Sequence, residues 1–153
     1  RNMMSERKLL DLLEKEEIRT LRLNYSQLLD SGQIHKMEEV FTSDARVEVT
    51  VGEMNGIEQI KQGLKNAYDE FDTHNRKHFP FVHAVMNHQI VLTDKTTAQG
   101  ECYLIDFVTS REQSESPLLL VGRYLDRYEK IDGQWRISHS KLDVVWPANS
   151  GVQ

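Results

Sequence analysis

Asp30 lies in the stretch YSQLLDSG, residues 25–32, at a place where a helix end would normally avoid it. A carboxylate near a helix C-terminus meets the negative end of the helix dipole. This one follows Leu28 and Leu29 and comes a turn and a half after Tyr25. A buried acid needs a partner, because an unpaired one is costly. Two ordinary readings compete: a side chain turned to water, or a cap on the segment that starts at Gln33. His83 is the candidate partner, since it opens a strand directly after the run FPFV at 79–82. A carboxylate bound to an imidazole orients the ring and raises its basicity, so the pair can take a proton near neutral pH. On its own, a histidine on a sheet face is more often a satisfied core residue. Tyr25 is either a hydroxyl donor reaching a cavity or a large core filler.

The other reactive side chains carry less. The chain has six histidines, and neither HExxH nor a convincing helical HxxxH joins any of them. His74 and His78 stand four apart in THNRKHFP, which reads as a solvated loop, so no metal site is expected. Cys102 has no base fixed beside it and reads as a small buried hydrophobe. Asp106 shares strand parity with Cys102 and Leu104, a polar group in an apolar row without an assigned role. Trp135 reads as packing. There is no Gly-rich phosphate cradle and no GxSxG elbow, and no cofactor is expected.

Around these residues, 153 positions with 39% hydrophobic and 28% charged side chains suffice for one packed domain. A formal charge of −5 speaks against nucleic acid as a partner. A single cysteine leaves no internal disulfide. The longest apolar run, LLLVG at 118–122, is far short of a membrane span. Without a recognisable signal segment at residues 1–10, a cytoplasmic setting is the expectation.

The positioning elements follow from hydrophobic period. Leu9, Leu10, Leu12, Leu13, Ile18, Leu21, Tyr25, Leu28 and Leu29 return to one broad face, predicting helix over 6–30, either one piece or two broken around Glu14–Glu17. Gly32 supplies a left-handed stop. Ile34, Met37, Val40 and Phe41 give a second short helix. Ala45, Val47, Val49 and Val51 then alternate as a strand, and residues 57–70 return to helix although Gly63 weakens it. From residue 82 onward the pattern is strand, with hairpin tips at Asp94–Lys95 and Asp132–Gly133. The exposed loop REQSESP at 111–117 divides the two hairpins. Helices first and antiparallel strands later predict an α+β domain over 5–146, with a C-terminal tail at 147–153. A strongly curved sheet under the helices would leave a hollow suited to a small ligand. Tyr124 and Val144 are candidates for its outer face.

Three stretches together resemble a known family: IRTLRLNYSQLLDSGQIHKMEEVFTSDARVEV at 18–49, HAVMNHQIVLTDKTTAQGECYL at 83–104, and GRYLDRYEKIDGQWRISHSKLDVVW at 122–146. Their order is similar to that of the SnoaL-like members of the nuclear transport factor 2-like superfamily. The pattern is most similar to scytalone dehydratase, bile-acid dehydratase and hexachlorocyclohexane dehydrochlorinase. The resemblance implies a cone-shaped α+β fold, with N-terminal helices packed on a strongly curved, mostly antiparallel sheet around a pocket. It implies catalytic roles for Asp30, His83 and Tyr25, with His83 taking a proton, Asp30 holding its ring and Tyr25 donating to an oxygen. The implied activity is a cofactor-independent lyase, a dehydratase or related elimination, on a small, apolar, cyclic molecule. A ketosteroid-isomerase-like isomerase, a polyketide cyclase and a non-catalytic binding or assembly domain stand as alternatives. A homodimer or homotrimer is implied as well. Two departures stand out. Scytalone dehydratase has a second pocket histidine near the position of Cys102, and a tyrosine where this chain has Leu29.

Overall fold

The computed structural model describes residues 2–50 and 52–148. Helix α1 spans Met3–Asp30 without a break. Its inner face repeats every three or four residues, so Ile18, Leu21, Tyr25, Leu28 and Leu29 are all buried. The helix stops in a Schellman turn: Gln33 N–H reaches the Leu28 carbonyl and Gly32 N–H reaches that of Leu29. Gly32 has φ +80°, a conformation that favours glycine, and a side chain there would press on the Tyr68 ring. The short helix expected after it is a 3₁₀ turn over Ile34–Glu39.

The leucines at the start of α1 do not join the core. Leu9, Leu10, Leu12 and Leu13 are each more than half exposed. Glu14 marks the change, because it accepts from Lys130 and from the Trp135 indole. N-terminal to that clasp, the apolar side chains of α1 stay largely in solvent.

Strand β1 is Phe41–Val49 and β2 is Gly52–Asn55, followed by α2 at Ile57–Phe71. Val51, read as the last alternating residue of the first strand, lies outside the described residues. Strands β3 (Phe81–Leu92), β4 (Thr97–Val108), β5 (Leu118–Ile131) and β6 (Gln134–Trp146) form two hairpins at the expected tips. The sheet order is β2-β1-β6-β5-β4-β3. Every neighbouring pair is antiparallel except β1 with β6, which is parallel.

The expectation of a strongly curved, cone-shaped sheet is therefore corrected. The sheet is a single open layer with β2 and β3 as its edges, not strongly curved or closed. Closure needs a continuous ladder around the sheet, and no ladder joins four-residue β2 to β3. The hollow arises instead where α1 and α2 stand over one face of this layer.

A bulge in β3 sets which residues point into it. Pairing with β4 shifts between Met86 and Gln89, and Asn87 has φ +55°. Before the bulge, Phe81, His83 and Val85 share a face; after it, Ile90 is buried and His88 turns to meet the Tyr128 hydroxyl. On β4 and β5 the even-numbered residues point inward, among them Cys102, Leu104, Asp106, Tyr124, Asp126 and Tyr128.

Candidate functional site

Asp30 is the last residue of α1 and only 4% exposed. It neither faces water nor caps the turn at Gln33. Its Oδ2 accepts the His83 backbone N–H at 2.8 Å, and its Oδ1 lies 2.6 Å from His83 Nδ1. That backbone N–H is available because β3 is an edge strand with one side unpaired. One carboxylate thus fixes both the strand and the ring, with Nδ1 donating to it.

The other ring nitrogen does not open onto empty space. His83 Nε2 lies 3.4 Å from Asp106 Oδ2 on the adjacent strand. His83 and Asp106 are direct cross-strand partners. The His83 N–H points to Asp30 and not to β4, so this is the non-hydrogen-bonded type of pair, in which side chains approach most closely. Asp106 Oδ1 is buried and has no hydrogen-bond partner. Burial alone would depress the imidazole pKa, but Asp106 and then Asp30 outweigh it by hydrogen bonding and charge, raising it to about 9. The ring is accordingly an imidazolium at neutral pH, held between two acids.

His83, Asp106 and Tyr25 all line a cavity of about 350 Å³ between the helices and the sheet. Its remaining wall is largely apolar, with Leu29, Leu64, Phe81, Leu104, Leu120 and Leu142 among the contributors. A volume of that order suits a ring-sized organic molecule. Asp30 is not part of the wall; it stands behind His83. Tyr25 is buried, with its ring edge-on to those of Phe41 and Tyr124. Burial first, then the charges of Asp30 and Asp106, push its hydroxyl up to about 12, while Arg22 and a hydrogen bond from Tyr124 oppose the rise.

Tyr124 and Val144, read as outer-face residues, line this cavity instead. The inward parity of β5 puts Tyr124 there. The tail expected from residue 147 begins on the same wall, with Pro147, while residues 149–153 lie outside the described residues. Cys102 is buried, and burial, its largest influence, pushes its thiol up to about 11, which suits an inert core residue. His74 and His78 fall in the loop between α2 and β3. Among the described residues no cluster of three His, Cys, Asp or Glu side chains is arranged to hold a metal ion. Nor is any helix there long and apolar enough to cross a membrane.

Asp106 is the residue whose part the sequence reading left open. The signal was present: a hairpin folded about Asp94–Lys95 sets residue 83 opposite residue 106. Arg22 was also passed over, although it falls among Ile18, Leu21 and Tyr25 on the buried face of α1.

Residues 11–141 match the SnoaL-like domain. The chain belongs to the SnoaL-like family. Solved structures similar to this SnoaL-like chain include a nuclear transport factor 2-like protein with a cystatin-like fold from Novosphingobium aromaticivorans. It is 18% identical with a TM-score of 0.79, over 97% of this chain and 94% of that one. A candidate scytalone dehydratase from the same organism is 24% identical with a TM-score of 0.73, over 88% and 85%. A hexachlorocyclohexane dehydrochlorinase from Novosphingobium barchaimii is 19% identical with a TM-score of 0.75, over 91% of each chain. At such identities the likeness shows the shared fold, and function has to be argued from the site.

Proposed function

We propose that this SnoaL-like protein is a cofactor-independent lyase that eliminates water or a comparable leaving group from a small, apolar, cyclic substrate. The observation that carries the proposal is an imidazole clamped between two carboxyl groups on the wall of an apolar cavity. Low polarity strengthens every charge interaction there and keeps competing water out.

In the proposed step a C–H beside the substrate's carbonyl or leaving group meets Asp106. The proton passes to its carboxylate, the C–H electron pair becomes the new C=C bond, and the leaving group departs with its own bonding pair. His83 as imidazolium stabilises the anionic character that develops, and Asp30 holds its ring from behind as a positioning residue. Tyr25 donates to the enolising or departing oxygen, and a departing hydroxide leaves as water by taking the proton that Asp106 accepted, which restores the carboxylate. The resemblance had assigned the base role to His83. An Nε2 facing Asp106 at 3.4 Å and an imidazole pKa raised to about 9 favour Asp106 as the acceptor, because a protonated ring has no lone pair free to take a proton.

Isomerisation or cyclisation through the same first proton transfer is the second reading. It is favoured by Tyr25 and Tyr124, which offer two hydroxyl groups to a bound enolate. The test is a panel of cyclic ketones, β-hydroxyketones and halogenated rings in heavy water, followed by NMR. Deuterium in recovered ketone marks proton transfer, and loss of water or halide marks elimination. His83→Ala is expected to abolish both while sparing most affinity for apolar ligands. Turnover retained in His83→Ala would overturn the assignment, and binding with no exchange anywhere in the panel would leave a non-catalytic binding domain.

A further inference from the structure

One turn before Tyr25, α1 buries a full positive charge. Arg22 is 1% exposed, and its Nη2 donates to Asp126 Oδ1 at 3.1 Å and to Ser140 Oγ at 2.9 Å. Asp126 also accepts from Ser140 at 2.6 Å and from the Tyr128 hydroxyl at 2.8 Å. All four residues belong to the core, and none of them lines the cavity. Burying such a pair costs desolvation energy that its attraction barely offsets, and apolar residues of similar volume often serve stability as well. Arg22 Nε even lacks a partner. Stability alone does not account for this arrangement.

Its placement does. The guanidinium carbon lies 3.5 Å from the centroid of the Tyr124 ring and 4.9 Å from that of Tyr25. Those two rings meet edge-on at 6.1 Å, and both line the cavity. The face of a phenol attracts a cation, and a cation there draws electron density from the ring and makes its hydroxyl a stronger donor. We propose that Arg22, locked by Asp126 and Ser140, is a positioning residue for a pair of cavity phenols, Tyr25 and Tyr124, and primes both to donate to one negatively charged oxygen of the bound molecule. Tyr124, whose hydroxyl otherwise donates to Tyr25, turns to that oxygen and becomes a second donor beside Tyr25. Both phenols are discouraged from ionising mainly by burial, and Arg22 opposes this in each case, against the charges of Asp30 and Asp106 on Tyr25 and of Tyr25 and Asp106 on Tyr124. What the phenols do in turnover rests on the lyase reading; their priming by Arg22 does not.

The priming can be tested without a substrate. The probes are 4-nitrophenolate, which offers an anionic oxygen, and nitrobenzene, which has a similar ring without one. The variant is Arg22→Met/Asp126→Asn, which removes both charges together yet leaves an acceptor for Ser140 and Tyr128. It is expected to weaken 4-nitrophenolate binding about tenfold while nitrobenzene stays within about twofold. Equal loss of both probes means a structural role and overturns the proposal, as does no loss of either. If the double variant does not melt cooperatively, Arg22→Gln/Asp126→Asn decides the matter. It removes the same charges but keeps an amide that can donate to Ser140, and it is expected to lose the phenolate selectively; unchanged binding overturns the proposal. Selective loss of phenolate in a protein that turns over nothing in the substrate panel would sink the lyase reading and leave the phenol pair standing.

Discussion

Replacing Asp106 with asparagine removes the group that contributes most to keeping His83 charged. Burial pulls the imidazole pKa down, and four contributions pull it up: hydrogen bonds from the ring to Asp106 and Asp30, then the charges of Asp106 and Asp30. Asp106 leads each kind. Without it, burial regains ground, and the midpoint is expected to fall from about 9 by at least about one unit, roughly 1.4 kcal/mol. The stability consequence has a definite sign. A histidine whose folded pKa is raised stabilises the fold fully below its unfolded value of about 6.5, and that stabilisation is lost as pH rises through about 9. Native protein should therefore exceed Asp106→Asn by about 1–2 kcal/mol near pH 6, and the gap should shrink by pH 9.5. The assay is NMR titration of the His83 ring C–H in both proteins, with urea unfolding at the two pH values. A native midpoint near 6.5, or an unchanged midpoint in the variant, would refute the reasoning.

Three further outcomes follow from named contacts. Tyr25→Phe keeps the ring contacts with Phe41 and Tyr124 but loses the hydroxyl; kcat on any substrate found should fall about 100-fold with KM within about threefold, and an unchanged kcat would remove Tyr25 from the chemistry. Gly63→Ala improves helix propensity by about 1 kcal/mol, but the added Cβ would lie 2.2 Å from the Met54 sulfur at the cavity wall. The expected result is no gain in Tm and weaker binding of bulky probes, whereas a gain worth about 1 kcal/mol would show the clash to be harmless. His88 is held uncharged chiefly by burial, down to about 4, so its stabilisation is present above about 6.5 and lost as pH falls through 4. His88→Gln should flatten that acid-side decline in urea unfolding, and parallel native and variant curves would contradict it.

Local rules carried the sequence reading a long way. Gly32 announced the end of α1, Asp132–Gly133 and Asp94–Lys95 marked both hairpins, and Asp30 drew notice as an acid at the wrong helix end. What stayed hidden depends on distant pairing. The parallel match of β1 to β6 joins segments about ninety residues apart and leaves no local trace. The bulge at Asn87 switches the inward parity of β3, which is why its alternation looked mixed. Leu9, Leu10, Leu12 and Leu13 fit a helical stripe, yet each stays more than half exposed. Strong curvature was inferred from resemblance, and curvature belongs to register and closure rather than to hydrophobic period. Asp106 and Arg22 were legible in principle, as charged residues on faces that are otherwise apolar. Each needed the question of which side chain lay opposite.

The pH dependence of proton exchange tests the central claim most directly. A cyclic ketone bound by the protein in heavy water should take up deuterium at a rate that holds through neutral pH and falls above about 9, as His83 loses its proton. In Asp106→Asn that rate should drop by about 10²–10⁴-fold. Exchange that climbs toward pH 9 would return the base role to His83. Native-rate exchange in Asp106→Asn would contradict the clamped imidazolium as the proton-transfer device.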